Sequence, residues 1–99
     1  ASEDDSAQRE KIRGYDEKQM IELVTSICRS SRELKRYSKN FVTFFNVYNG
    51  GLNGERFLQF EPQQFAVTVG KDQFGNDQSK AIEAALKLYD RILGRTQHY

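Results

Sequence analysis

The sequence has 99 residues, of which 15 are Lys or Arg and 14 are Asp or Glu, so its net charge is +1. This length suits one domain, and the near-neutral charge argues against binding of polyanions through overall charge alone. A single Cys excludes an internal disulfide, and the longest apolar run is far too short to span a membrane. We therefore expect an intracellular or organellar protein that does not enter a membrane.

The first 15 residues are rich in charge and hold only two apolar anchors, Ile12 and Tyr15. That is too little apolar surface to offset the entropy of ordering the segment, so we expect residues 1–15 to form a flexible tail. Residues 16–94 are predicted to form a single globular domain. Residues 95–99, which include His98, are predicted to form a polar C-terminal tail.

A first helix is predicted to begin near Asp16, a residue type favoured at the N-cap, with Glu17 complementing the helix dipole. Apolar residues then recur every three or four positions, as expected for one buried face. These residues are Met20, Ile21, Val24, Ile27, Cys28, Ser31 and Leu34. Because Cys28 lies on this face and the only His is His98, we expect a buried structural thiol, not a nucleophile.

The second half of this helix carries five cations and one acidic residue, Glu33, between positions 29 and 39. Four of the cations have the spacing i, i+3, i+7 and i+10, which a continuous helix would align on one face. The sequence therefore offers a candidate nucleic-acid-binding stripe, against the simpler interpretation of a solvated helix end. The stripe consists of Arg29, Arg32, Lys35, Arg36 and Lys39.

The segment Asn40–Gly70 holds six of the seven Phe residues, between Asn-Gly, Gly-Gly and Pro breakpoints. Aromatic and β-branched residues in short alternating runs favour strands. We therefore predict an α+β domain of α-β-β-β-α order, with a three-stranded antiparallel meander covered on one face by two helices. The alternative is a mainly α fold whose N-terminal helix continues to about residue 49, because several apolar residues also follow heptad spacing.

The final helix is predicted from about Asp77 to Leu93, ending at Gly94, with Asn76 or Asp77 as its N-cap. The preceding acidic residues do not have the spacing of a calcium loop, so no metal is expected. The run from Phe65 to Val69, followed by residues 79–85, resembles the last strand and helix of double-stranded RNA-binding domains. That family uses a Lys cluster to open this helix, whereas Lys80 stands alone here, so no family is assigned.

The sequence indicates the function of the protein less directly than it indicates the fold. No nucleophile with a base, carboxylate pair or metal set is assembled, so we expect no catalysis and no cofactor. Two helices can cover only one face of a three-stranded sheet, so we expect an exposed aromatic face that binds a protein partner or a second copy of the chain. Its residues would be Phe41, Phe44, Tyr48 and Phe57, with Phe45 as an alternative outward position. The alternative function is RNA or DNA binding by the basic stripe.

Overall fold

The computed structural model describes residues 2–75 and 79–94, and all regular secondary structure in these ranges is helical. The predicted α+β class and three-stranded meander are therefore wrong. A 3₁₀ turn spans Tyr48–Gly50, between the fourth and fifth of seven α-helices. The helices are α1 (Ser2–Arg13), α2 (Glu17–Ser30), α3 (Arg32–Lys35), α4 (Ser38–Val47), α5 (Gly54–Leu58), α6 (Pro62–Gln73) and α7 (Ser79–Ile92).

The region predicted as strands is helical because its aromatic residues also have helical spacing. Phe41, Phe44, Phe45 and Tyr48 occur at i, i+3, i+4 and i+7, which places all four on one side of a helix. The three Phe residues are fully buried, and Tyr48 is partly buried. Neighbouring residues on a strand point to opposite faces, so a sheet covered on one side could not bury both Phe44 and Phe45.

The alternative prediction, one long helix to about residue 49, is wrong in its continuity although this stretch is almost entirely helical. The chain leaves helical geometry at Ser31, whose φ is −117° and ψ is 120°. It breaks again at Tyr37, which has a φ of −102° and a ψ of 4° and precedes α4. These two interruptions let the chain fold back on itself instead of extending as a rod.

The turn residues were located correctly, but they join helices. Asn49, Gly50 and Gly51 have positive φ angles of 50°, 83° and 119°, in the region that Gly adopts readily and Asn tolerates. The reversal is closed by the N–H of Leu52, which donates to the Phe45 carbonyl at 2.8 Å. Further along, Pro62 occupies the first turn of α6, where its missing N–H costs nothing.

The predicted flexible tail contains α1, whose end packs closely on α5. Ile12 is fully buried, and the N–H of Gly54 donates to the Tyr15 carbonyl at 2.9 Å. A Cβ added to Gly54 would lie 1.7 Å from the carbonyl oxygen of Ile12. Gln8 also donates to the carbonyl of Ile92, the last residue of α7, at 3.1 Å. The N-terminal segment therefore packs on the rest of the fold, and Gly54, which has no side chain, lets the backbone of α5 approach that of Ile12 closely.

The core is dominated by an aromatic cluster, defined as Phe44, Phe45, Phe57, Phe65 and Tyr89, drawn from four helices. Phe65 lies at its centre, with its ring centroid 5.3 to 5.9 Å from those of the other four residues. The Tyr89 hydroxyl donates to the Phe60 carbonyl at 2.8 Å. Phe65 is therefore fully buried at the centre of a helical core.

Two helices follow their predicted boundaries closely. Asp16 caps α2 by accepting from the N–H of Gln19 at 2.8 Å, which confirms the predicted N-cap. Gly94 follows α7 with a φ of 70°, in agreement with its predicted role. The start predicted for α7 at Asn76 or Asp77 and the tail at residues 95–99 lie outside the described residues.

The helices form one packed unit. The α6 and α7 helices lie against each other, α2 packs on α4 and α7, and α3 contacts α7. The radius of gyration is 12.4 Å, close to the value of about 12.6 Å expected for one domain of this length. Within the described ranges, none of the helices combines the length and the apolar character required to cross a membrane. Because residues 65–69 lie inside α6, the predicted resemblance to double-stranded RNA-binding domains does not hold.

Candidate anion-binding surface

The residues predicted to form an aromatic partner-binding face belong to the core. Phe41, Phe44 and Phe57 are fully buried, and Tyr48 is half-buried against Phe44, with ring centroids 4.8 Å apart. The alternative residue, Phe45, is also fully buried. No sheet exists in the described ranges to present such a face, so this predicted function is wrong. The aromatic side chains are covered by other helices of the same chain.

The five predicted cations lie in a different environment. All are exposed, and none forms an ion pair with any residue that the structure describes. Their predicted alignment is wrong, because they are distributed over the end of α2, the short α3 and the start of α4. We call this set the basic surface: Arg29, Arg32, Lys35, Arg36 and Lys39.

The burial of Leu34 explains why the cations of α3 lie on the surface. Leu34 is fully buried and anchors the four-residue helix to the core, which leaves the remaining side chains of α3 outside. The dipole of α2 accounts for Arg29 in its last turn. Arg32 and Lys35 lie in the single turn that makes up α3, which is also its last turn, where cations are favourable.

The α7 helix contributes residues to this surface that were not predicted from the sequence. A surface depression of about 260 Å³ lies between α3 and α7. Only Arg32 and Arg36 of the predicted stripe contribute to it, while Arg29, Lys35 and Lys39 lie outside its lining. The full lining is Arg32, Glu33, Arg36, Tyr37, Lys80, Glu83, Ala84 and Lys87. Nothing in the local sequence around Lys80 or Lys87 indicates this neighbourhood, because it is created by the packing of α7 on α3.

Glu33 is the acidic residue within the basic segment, and it is already neutralised. Lys87 donates a hydrogen bond to the Glu33 carboxylate across the α3–α7 junction. That hydrogen bond, followed by the charges of Lys87 and Arg91, lowers the pKa of Glu33 below its ordinary value. Glu33 and Lys87 therefore satisfy each other across the junction of α3 and α7. The other charged groups of the lining are the cations Arg32, Arg36 and Lys80 and the carboxylate of Glu83.

Tyr37 gives the depression an aromatic edge. Its ring packs edge-on against that of Phe74, with centroids 5.4 Å apart, and at a tilt against that of Phe41, with centroids 6.0 Å apart, so these contacts fix its position. The Arg36 guanidinium carbon lies 5.6 Å from the centre of the Tyr37 ring, within the range of a cation–π contact. The Arg36 side chain is therefore held beside an ordered aromatic ring at the solvent boundary.

Other candidate chemistry in the described residues is weak. Cys28 is fully buried as predicted, and burial raises the pKa of its thiol above the ordinary value, against the opposing effect of a hydrogen bond with Ser38. A raised pKa disfavours the reactive thiolate. Across residues 2–75 and 79–94, no group of three or more His, Cys, Asp or Glu side chains is arranged to hold a metal ion. His98 lies outside these ranges.

Comparisons of the chain with protein-family models, with curated proteins and with solved structures found no significant match. The candidate site is therefore argued from its own residues.

Proposed function

We propose that the protein is a non-catalytic module that binds single-stranded nucleic acid through the basic surface and the adjoining depression between α3 and α7. One observation carries the proposal: five exposed cations without ion pairs among the described residues lie in, or close in sequence to, a short helix whose only carboxylate is already bound to Lys87. Phosphate groups of a nucleic acid backbone would supply the missing negative charges.

The charge distribution supports this surface although the net charge does not. Residues 29–39 carry +4, and the whole chain carries +1, so the rest of the chain carries −3. The molecule is therefore polarised, and a polyanion would be attracted to one side and repelled from the remainder. Lys80 of α7 adds a cation to the lining of the depression, which also holds the exposed carboxylate of Glu83, so cations outnumber carboxylates there by four to two.

The shape of the surface favours a single strand over a duplex. With four residues, α3 is about 6 Å long, too short to lie along a groove of double-stranded DNA or RNA. Arg36 and Tyr37 instead offer a guanidinium plane and a ring, on which unstacked bases pack. The same proposal includes the location inferred from the sequence, which is inside the cell or an organelle. Nucleic acids occur there.

The test measures binding of a labelled oligonucleotide of about 12 nucleotides, within the site sizes known for single-strand binders, by fluorescence anisotropy. With about three to five phosphates contacted, the logarithm of the affinity should fall with the logarithm of salt concentration at a slope of about −2 to −3.5. That slope corresponds to a loss of roughly 20- to 100-fold between 50 and 200 mM salt. A duplex of equal length should bind more weakly.

A matched pair of variants separates the local surface from net charge. Arg32→Glu with Arg36→Glu should abolish binding. Lys11→Glu with Lys18→Glu should retain most of it, because these two exposed cations lie in the last turn of α1 and at the start of α2. Both pairs change the net charge from +1 to −3. Equal loss in the two variants, or no binding by the wild type at about 50 mM salt, would refute the proposed site.

A further inference from the structure

A second groove lies on another part of the molecule, beside α5. It has a volume of about 440 Å³, within the range of roughly 300 to 1,000 Å³ that is common for ligand pockets. Its lining combines two aromatic rings, three side-chain amides and one guanidinium group. The lining residues are Tyr48, Asn49, Leu52, Arg56, Gln59, Phe60 and Gln64. We call it the α5 groove.

The guanidinium of Arg56 is held in place by the turn that precedes α5. Its Nη1 donates to the carbonyl oxygen of Asn49 at 3.1 Å and to that of Gly51 at 3.3 Å. Both carbonyls belong to the segment of positive φ angles, so the left-handed turn aims them at Arg56. The side chain is therefore fixed before any ligand arrives, which lowers the entropic cost of binding.

The outer edge of Arg56 is available to a ligand. A guanidinium has five N–H donors, and those on Nε and Nη2 have no partner among the residues that the structure describes. Arg56 is exposed and forms no ion pair within that part of the chain. Two parallel N–H donors in one plane match the two oxygens of a carboxylate.

The other lining residues of the groove can contact the part of the ligand that carries the carboxylate. The Tyr48 and Phe60 rings lie 5.9 Å apart and are both partly exposed, so they form an aromatic floor. Gln59 is an exposed amide that can donate to or accept from a peptide group. Gln64 is also exposed; its Oε1 accepts from the N–H of Glu61 at 3.4 Å, so its amide N–H groups are the ones available to donate. With one cation in its lining, the groove suits a single negative charge and not a chain of phosphates.

We propose that the α5 groove binds a carboxylate attached to an apolar group, with Arg56 holding the carboxylate and the Tyr48 and Phe60 rings holding the apolar part. The C-terminus of a peptide ending in an apolar residue has this chemistry, and so does a small aromatic acid. The proposed site is separate from the basic surface, and its test does not involve nucleic acid.

The test titrates the isotope-labelled protein with Gly-Gly-Phe, its C-terminal amide, and phenylacetate, and follows backbone amide signals by NMR. The tripeptide acid should shift the signals of residues 48–64, and the amide should bind at least about tenfold more weakly, because it lacks the charge-assisted hydrogen bonds to Arg56. Tighter binding of the tripeptide than of phenylacetate would identify a peptide C-terminus as the source, and equal binding would identify a small acid.

Two variants that each add one negative charge, one inside the groove and one outside it, form a matched pair of test and control. Gln59→Glu places a carboxylate in the lining and should weaken binding of the tripeptide acid at least about tenfold, while Gln63→Glu, an exposed site outside the lining, should not. Neither variant removes the Arg56 contacts that hold the turn. Equal affinity for acid and amide, equal effects of the two variants, shifts elsewhere in the protein, or no binding up to about 10 mM ligand would each overturn the proposal.

Discussion

The aromatic cluster and the basic surface differ in how far the protein itself satisfies their side chains. The rings of the aromatic cluster contact one another at centroid distances of 4.9 to 5.9 Å, and the Tyr89 hydroxyl has a carbonyl partner. The cations of the basic surface extend into solvent without ion pairs among the described residues. Each group concentrates one chemical class of side chain, aromatic in the first and cationic in the second, yet only the second retains unused interaction capacity.

This difference separates residues that form the fold from residues that are free to bind. A buried ring contributes through the apolar area it removes from water and through its contacts with neighbouring rings. An exposed cation contributes little to stability, so its substitution should leave the fold intact. Four substitutions test the comparison, from the largest expected effect to the smallest.

Phe57→Arg should have the largest effect. Phe57 is fully buried between the rings of Phe65 and Tyr89, at 5.3 and 4.9 Å, so the substitution would place an unpaired charge in the core. We expect a loss of about 5 kcal/mol or more of unfolding free energy, enough to unfold a domain of ordinary stability. Circular dichroism at 25 °C would show the loss of helical signal.

The control for Phe57→Arg is Val47→Arg. Val47 is 55% exposed and is the only large hydrophobic residue so exposed in the described part of the chain. Its substitution should change stability by no more than about 0.5 kcal/mol. A folded Phe57→Arg protein would mean that this side chain faces solvent, as the sheet prediction required.

Phe65→Ala should have the second-largest effect, a loss of about 3 to 5 kcal/mol, because it removes the central ring of the aromatic cluster and leaves a cavity. Val67→Ala provides the comparison. Val67 is only half-buried in α6, so the loss on its substitution should be nearer about 1 kcal/mol. Urea denaturation of the two variants would measure the difference, and equal losses would contradict the helical arrangement of α6.

Gly54→Ala should have an intermediate effect, about 1 to 3 kcal/mol, through overpacking. The new methyl group would meet the Ile12 carbonyl oxygen, so α1 and α5 would have to separate. Hydrogen exchange should then show faster exchange in α1 while α6 and α7 remain protected. Gly14→Ala is the control, because the nearest atom to its added Cβ is 3.8 Å away. Unchanged protection of α1 in Gly54→Ala would show that this close approach does not hold the helix.

Glu33→Gln should have the smallest effect on stability, a slight loss, and should strengthen the binding of nucleic acid. The pKa of Glu33 is lowered in the folded protein, so its stabilising contribution is present above the ordinary pKa of Glu and is lost as pH falls through the lowered value. Melting temperatures of wild type and variant should therefore differ slightly at pH 7 and converge in acid. Released from Glu33, Lys87 could contact one more phosphate and steepen the salt slope by about 0.7.

Glu22→Gln, at an exposed site on α2, is the control for Glu33→Gln because it changes the net charge equally. If Glu22→Gln steepens the salt slope as much as Glu33→Gln, the effect arises from net charge and the pairing of Glu33 with Lys87 has no part in it.

Several local features of the fold could be predicted from sequence because they depend on few neighbours. Asp16 as an N-cap, the positive φ values at Asn49 to Gly51, and Gly94 beyond α7 each follow from the geometry that a residue type favours. Burial of Cys28 followed from its place on an apolar face of helical period.

The choice between strand and helix in residues 40–70 could not be made in the same way. The run around Phe41 to Tyr48 fits both an alternating strand and a helix with i, i+3 and i+4 spacing, and short apolar runs do not separate the two. The four-residue pattern Phe41, Phe44, Phe45 and Tyr48 was the available signal. It was outweighed by the strand preference of β-branched and aromatic residues.

The sequence by itself determined where the chain turns, which face of α2 is apolar, and that the cations of residues 29–39 are concentrated in one segment. Only the tertiary structure decided that residues 40–70 are helical, that α1 is ordered on α5, and that Lys80 of α7 lies beside Arg32 and Arg36. The physical reason is one of magnitude. Propensities differ by less than about 1 kcal/mol per residue, whereas each ring buried among helices from distant parts of the chain contributes about 1.5 to 3 kcal/mol, so packing overrides local preference.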